Sequence, residues 1–212
     1  MENMNLESEQ KESTVGDKTA LVTIIGRPSA GKSTFLNTAS GEMVSIVSSI
    51  PQTTRNAIRG IVNTSLGQLV FVDTPGYHES NKKMNLKMRS IVADQLANAD
   101  SILYVVDSTR PCGDEEKLIK ELLKGHEKKT VAALNKIDEK DSNPSAARVF
   151  LSKQLPELSE KNIFDVSAKN DEGINDVLRA LYELAPVAPH LYPEEFYTDQ
   201  EVDFRIAEVI RE

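Results

Sequence analysis

A glycine-rich loop near the start of the chain contains residue types that could bind phosphate. Residues 26–33 read Gly-Arg-Pro-Ser-Ala-Gly-Lys-Ser and fit the pattern G-x-x-x-x-G-K-[ST]. The glycines let the backbone approach an anion closely, so that successive N–H groups point at it. Lys32 would bring a positive charge to the β- and γ-phosphates, and the Ser33 hydroxyl would ligate Mg²⁺. The residues predicted to contact phosphate are Gly26, Arg27, Pro28, Ser29, Ala30, Gly31, Lys32, Ser33 and Thr34.

A carboxylate and a glycine follow a later apolar run. Residues 69–72 predict a buried strand that leads into Asp73, and the next three residues are Thr74, Pro75 and Gly76. A carboxylate at the end of a strand beside a phosphate loop is placed to hold Mg²⁺ through a water, and the Gly76 amide can approach a γ-phosphate. Ordinary turn chemistry at a strand end is the alternative interpretation. Because residues 73–76 occur together with the phosphate loop in one chain, the interpretation as part of a nucleotide site is favoured.

A third motif points to the base of the nucleotide. The strand predicted at 129–134 is followed by Asn135, Lys136 and Asp138. The Asp138 carboxylate can accept from N1–H and the 2-amino group of guanine, whereas adenine offers an acceptor at N1 and has no 2-amino group. Asn135 could reach N7 and fix the loop, while the Lys136 stem covers one face of the base. Backbone amides of a tripeptide after the last predicted strand could donate to guanine O6: Ser167, Ala168 and Lys169.

Composition limits the class of protein. The chain has 212 residues and a formal net charge of −8, which argues against nucleic-acid binding by phosphate neutralisation from these residues alone. Cys112 is the single cysteine, so intramolecular disulfides and cysteine-built zinc sites are excluded. No apolar run reaches the length of a membrane span, and the N-terminus lacks the apolar segment of a signal peptide. These features predict a cytoplasmic protein.

The elements that must position these motifs form an alternating pattern. Two strands separated by a short turn, 58–62 and 69–72, must be antiparallel neighbours, and the remaining strands alternate with helices. The sequence thus predicts an α/β fold with three layers, a mostly parallel six-stranded sheet with one antiparallel strand, and helices on both faces. The other predicted strands are 19–26, 101–107, 129–134 and 162–166, and the predicted helices are one ending near 40–41, then 86–99, 114–124, 145–155 and 174–184.

The motifs and the end of the chain resemble the Era family of bacterial GTPases. Its nucleotide boxes resemble the loop at 26–33, Gln-Thr-Thr-Arg at 52–55, Asp-Thr-Pro-Gly at 73–76 and Asn-Lys-Ile-Asp at 135–138. The tail, with Tyr-Pro at 192–193 and Phe-Arg-Ile-Ala-Glu-Val-Ile-Arg-Glu at 204–212, resembles the linker of that family and the start of its RNA-binding KH domain. The division that follows is a disordered arm at 1–18, a phosphate-loop GTPase domain at 19–185, a linker at 186–197 and the first helix of a truncated KH domain at 198–212.

The resemblance implies a GTP-hydrolysing switch that binds GTP or GDP with Mg²⁺. Lys32, Thr54 and Gly76 would stabilise the transferring phosphoryl group, and Ser33, Thr54 and Asp73 would serve the metal. Thr54 is favoured over Thr53 as the ligand that becomes ordered with the γ-phosphate, although the choice between them stays open. Ser29 stands where relatives usually carry an Asn that in part of the group helps hold K⁺, which leaves potassium dependence open.

The resemblance also implies partners. Family members assist assembly of the small ribosomal subunit and bind its rRNA through the KH domain, most of which this chain lacks; a monomer with peripheral association at the inner membrane face is expected. Three alternatives remain: a nucleotide-gated RNA or ribosome binding module with incidental hydrolysis, a related tRNA-modification GTPase, and an ATPase in which Asp138 is idle.

Overall fold

The computed structural model describes residues 17–42, 44, 58–73 and 92–198, except for the side chains of residues 58 and 59. The predicted arm before residue 17, the predicted KH helix after Thr198 and the first part of the helix predicted at 86–99 lie outside the described residues. Residues 92–98 are helical. The other elements are β1 (Lys18–Ile25), α1 (Lys32–Ser40), β2 (Ile58–Thr64), β3 (Gly67–Asp73), β4 (Ser101–Asp107), α2 (Asp114–Leu123), β5 (Thr130–Asn135), α3 (Pro144–Gln154), β6 (Ile163–Asp165) and α4 (Ile174–Leu184).

The six strands form one sheet in the order β2-β3-β1-β4-β5-β6. All neighbours are parallel except β2 and β3, which pair antiparallel from Ile58 opposite Asp73 to Thr64 opposite Gly67. The predicted fold class is confirmed, including the single antiparallel pair. The parallel strands bring the residues after β1, β4, β5 and β6 to one edge of the sheet, where ligands bind in open α/β folds.

Alternation along the strands divides the core between the two faces of the sheet. In β4, Leu103 and Val105 pack with α1 and α4, whereas Ile102, Tyr104 and Val106 pack with α2, α3 and the 92–98 helical segment. Each of these side chains is at most 1% exposed. Burying an aliphatic side chain of this size contributes roughly 1.5–3 kcal/mol, so both faces help to hold the site edge in place. Among the described residues, no helix has both the length and the apolarity needed to cross a membrane.

The end of α1 and the start of α3 show why helix boundaries could be predicted from the sequence. Helix α1 ends at Gly41, whose φ of 70° is the left-handed conformation that glycine adopts without strain. Helix α3 begins after Asn143, whose side chain accepts from the Ala146 amide, with Pro144 at the first helical position. Both boundaries match the prediction to within one residue. The strand at 163–165 is shorter than the predicted 162–166, because residues 160–162 form a 3₁₀ turn.

Residues 186–198 run along the outer side of the β2–β3 hairpin without forming a helix. At one end, the Thr19 amide donates to Pro186 O at 3.1 Å and the Ala188 amide donates to Asp17 O at 3.2 Å. At the other end, the Ile61 amide donates to Tyr197 O at 2.9 Å. This segment therefore crosses the hairpin from its turn toward the end of the sheet that carries the predicted site.

Gln68 is the main polar attachment of this segment. Its side chain is fully buried, and its Oε1 accepts from the amides of Leu191 and Tyr192 at 2.9 Å each. Its Nε2 donates to Tyr192 O and to Asn63 Oδ1, both at 2.8 Å. Every polar atom of the amide is used, and most of its partners lie more than 120 residues away.

We expect Gln68→Ala to lower the free energy of unfolding by about 3 kcal/mol, because it removes four hydrogen bonds and leaves a cavity. It should also speed proteolytic cleavage within residues 186–198. Urea denaturation and limited proteolysis measure the two effects. Gln154→Ala is the matched control, since among the described residues that side chain makes a single hydrogen bond, to Lys120 Nζ at 3.2 Å. Equal denaturation midpoints for the two variants would contradict the assigned role.

Candidate nucleotide-binding site

The predicted phosphate loop lies between β1 and α1 and closes around the Lys32 ammonium. Lys32 is 7% exposed, and its Nζ donates to Gly26 O at 3.1 Å and to Arg27 O at 3.0 Å. Burial lowers the pKa of Lys32, an effect that the charge of Asp73 opposes. The ammonium therefore lies buried within the phosphate loop, where its electrostatic attraction for an anion is stronger than it would be in water.

Two glycines in this loop have no room for a side chain. A Cβ on Gly26 would overlap the Val105 carbonyl oxygen, and a Cβ on Gly31 would overlap Asn135 Nδ2. Gly31 also has a φ of 96°, which L side chains rarely adopt. The close approach of the loop to its neighbours thus requires glycine at both positions.

Two of the three predicted metal ligands lie together. Ser33 Oγ donates to Asp73 Oδ2 at 2.8 Å, and Asp73 is fully buried at the end of β3. A hydroxyl and a carboxylate are the hard oxygen donors that Mg²⁺ prefers, and Mg²⁺ commonly uses one or two protein ligands with phosphate and water. Within the described part of the chain, no group of three or more His, Cys, Asp or Glu is placed to bind a metal. The residues present fit Mg²⁺ bound together with phosphate.

A cavity of about 260 Å³ opens beside the loop. Asp138 is exposed at this cavity, and its Oδ1 accepts from Ser167 Oγ at 2.6 Å. That bond fixes the orientation of the carboxylate while leaving the rest of it accessible. Apart from Glu139, the lining residues come from the phosphate loop, the motif at 135–138 and the tripeptide at 167–169: Gly31, Thr34, Asn135, Lys136, Asp138, Glu139, Ala168 and Lys169.

Asn135 joins the loops of the site to one another. Its Nδ2 donates to Ala30 O at 2.9 Å, and its Oδ1 accepts from the Ala168 amide at 2.9 Å. Thr38 Oγ1 adds a bond to Ala168 O at 2.6 Å. The structure therefore shows Asn135 fixing the phosphate loop and the Ser167–Lys169 loop, while its contact with guanine N7 stays a prediction. Because the Ala168 amide donates to Asn135, its donation to guanine O6 also stays a prediction.

Sequence reasoning missed a buried ionic network behind the phosphate loop. Arg27 is 2% exposed; its Nη1 lies 2.8 Å from Glu116 Oε1 and its Nη2 lies 3.5 Å from Asp107 Oδ2. Lys136 Nζ donates to the same Asp107 oxygen at 2.8 Å. Asp107 ends a buried strand at the site edge, the same signal that singled out Asp73, so the sequence offered a clue. The pairing with Arg27 and Glu116 could not be read from it.

Several predicted site residues lie outside the described residues: Thr53, Thr54, Thr74, Pro75 and Gly76. Ser29 is described; it is exposed and has a φ of 60°. Asn is more frequent than Ser in that left-handed conformation, so the backbone here suits the Asn that the resemblance expects at this position.

Known proteins resemble this arrangement over most of the chain. The family described as 50S ribosome-binding GTPase matches residues 21–136. GTPase Era of Treponema denticola is 59% identical over 192 residues, which cover 91% of this chain and 65% of that protein. GTPase Era of Borrelia garinii subsp. bavariensis is 41% identical and is covered to 67% of its length, with 92% of this chain aligned. The chain belongs to the Era family of GTPases.

The Era family also includes a solved structure of similar fold. Era in complex with MgGDPNP and nucleotides 1506–1542 of 16S ribosomal RNA is 31% identical and superposes with a TM-score of 0.81, over 92% of this chain and 66% of that one. The present chain spans about 65% of the length of Treponema denticola Era. The family match over residues 21–136 includes the phosphate loop and Asp73.

Proposed function

We propose that this protein binds GTP and GDP with Mg²⁺ and hydrolyses GTP as a molecular switch in assembly of the small ribosomal subunit. The Asp138 carboxylate carries the choice of nucleotide. It is exposed at the cavity and oriented by Ser167, and the cavity adjoins the phosphate loop at Gly31. A fixed carboxylate in this place matches the two adjacent donors of guanine and leaves adenine without a partner.

Lys32 and the backbone amides of the phosphate loop would bind the phosphates of the nucleotide. Lys32 bonds to two loop carbonyls, so the ammonium is already at the centre of the loop before a ligand arrives. Little reorganisation is then needed to present it to the β- and γ-phosphates, which is the condition under which a fixed charge stabilises a transferring phosphoryl group best. Bound Mg²⁺, held by Ser33 and Asp73 with Thr54, would neutralise phosphate charge.

The switch proposal rests on the ends of the β2–β3 hairpin. Ile58, at the start of β2, pairs with Asp73, at the end of β3. The segments that contain Thr54 and Gly76 are therefore joined to the sheet at two opposed residues beside the site. Ligation of Thr54 to the metal and donation from the Gly76 amide would order both segments when the γ-phosphate is present and release them after hydrolysis.

The ribosomal role is inferred from the Era family. The Era structure bound to nucleotides 1506–1542 of 16S ribosomal RNA supports small-subunit rRNA as the partner, reached through a KH domain of which residues 198–212 would be the first helix. We further propose a monomeric, cytoplasmic protein with peripheral contact at the inner membrane face.

Nucleotide competition followed by turnover tests this proposal. We expect GTP and GDP to displace a fluorescent GDP analogue at concentrations at least about a thousandfold lower than ATP does, because an unpaired site carboxylate penalises adenine strongly. Released phosphate should require Mg²⁺ and accumulate slowly. A preference for ATP would reject the guanine assignment. Tight GTP binding with no phosphate release, even with small ribosomal subunits present, would favour a binding module in which hydrolysis is incidental.

A further inference from the structure

Asp107 lies between the phosphate loop and the base-binding motif. It ends β4, and it is 1% exposed. Its Oδ2 accepts from Lys136 Nζ at 2.8 Å and lies 3.5 Å from Arg27 Nη2. Arg27 Nη2 also donates to the backbone carbonyl of Asp107 at 3.1 Å. One residue outside all the predicted motifs thus contacts a cation from each of two motifs that surround the nucleotide.

The Asp107 carboxylate is held in one orientation. Its Oδ1 accepts from the Thr109 amide at 3.0 Å and from Thr109 Oγ1 at 2.6 Å. Burial raises the pKa of Asp107, but hydrogen bonds from Lys136 and Thr109 outweigh burial and keep this pKa below its ordinary value. The group is therefore an anion at neutral pH, with both oxygens used.

Lys136 is the partner through which Asp107 can act on a nucleotide. Its side chain is 30% exposed and lines the cavity beside Asp138. A free lysine side chain samples many rotamers, whereas an ammonium bonded to a fixed carboxylate keeps the methylene stem in one place before the ligand binds. Arg27 has a second anionic partner in Glu116 at 2.8 Å, so it would stay paired if the Asp107 charge were removed. Lys136 has no second ion pair among the described residues.

We propose that Asp107 is a positioning residue for guanine nucleotides, which holds the Lys136 stem against the base and connects it to the phosphate loop through Arg27. This inference rests on the proposed function. Because GDP and GTP share the base that Lys136 would cover, Asp107 affects the affinity for both nucleotides by the same factor. A group that acted through Lys32 on the terminal phosphate would affect GTP more.

Asp107→Asn tests the proposal, because it keeps the shape of the side chain and removes its charge. We expect dissociation of fluorescent GDP and GTP analogues to become about tenfold faster, equally for both, as Lys136 turns into solvent. In a Lys136→Met background, which retains an apolar stem without the ammonium, the same change should alter the rate by less than about twofold. Asp165→Asn is the matched control, because the Asp165 carboxylate at the end of β6 also accepts from a cation, Arg148, at 2.8 Å but does not line the cavity.

The outcomes separate this proposal from the one on which it rests. A native protein that does not bind GDP would overturn the proposed function. Native binding with an unchanged release rate in Asp107→Asn would overturn the positioning role alone, and so would a tenfold effect that persists in the Lys136→Met background. If Asp107→Asn does not fold, Thr109→Val, which removes one bond to Oδ1, should accelerate release of both nucleotides about two- to threefold; an unchanged rate would overturn the role.

Discussion

Asp138→Asn is expected to weaken GDP binding by about 100-fold and to create a preference for xanthosine diphosphate. The Asn side chain would offer one acceptor, its oxygen, and one donor group, its NH₂. The NH₂ would face one of the two donors of guanine, and both of these donor groups would then lack a partner. Xanthine carries a carbonyl where guanine has the 2-amino group, and it therefore matches the amide. Competition of GDP and xanthosine diphosphate against a fluorescent GDP analogue measures both effects.

Asp141→Asn is the control for this experiment. Asp141 is exposed three residues further along the same loop and undergoes the same change of charge. We expect its GDP affinity to stay within about twofold of the native value, since a solvated surface charge contributes little. If Asp138→Asn lost GDP affinity without gaining affinity for xanthosine diphosphate, the carboxylate would support the loop, and its direct pairing with the base would be rejected.

Gly31→Ala is expected to lower GDP affinity by about 100-fold. The new Cβ would overlap Asn135 Nδ2, whose bond to Ala30 O fixes the phosphate loop, and the φ of 96° adds roughly 1–3 kcal/mol of backbone strain. The loop must move away from Asn135, and the loop amides then lose their alignment on the phosphates. Equilibrium titration with a fluorescent GDP analogue measures the loss.

Gly41→Ala at the other end of α1 provides a close comparison. Gly41 also has a left-handed backbone, with a φ of 70°, but a Cβ there would meet no atom within 4 Å. We expect this variant to lose about 1 kcal/mol of stability and to keep native GDP affinity. Similar GDP affinities for the two variants would contradict the role assigned to the contact between residue 31 and Asn135.

The parts of the fold that follow local rules could be predicted from the sequence. Gly41 and Asn143 marked helix ends because capping depends on a few neighbouring residues, and the short turn between β2 and β3 forced an antiparallel pair. The motifs around Lys32, Asp73 and Asp138 could be predicted to lie at one edge of the sheet, because each lies at or just past the end of a recognisable strand.

The interactions that were missed join residues far apart in the chain. Arg27 was predicted to contact the nucleotide, and its pairing with Asp107 and Glu116, about 80 and 90 residues later, was not predicted. Gln68 accepts from the amides of residues 191 and 192 because the segment at 186–198 packs on the β2–β3 hairpin, a tertiary contact between distant parts of the chain. Such pairs follow from the register of the sheet and the path of the chain, which hydrophobic periodicity does not specify.

The position of residues 186–198 has a consequence for self-association of the folded chain. β2 is an edge strand, and an open edge is a template for pairing with another molecule. Here Gly60 is bridged by Thr198 and the Ile61 amide is bonded to Tyr197. The opposite edge is the three-residue β6, whose Ile163 carbonyl accepts from the Arg148 guanidinium. With one edge covered and the other very short, the sheet offers little to a second copy, which protects against aggregation through strand addition.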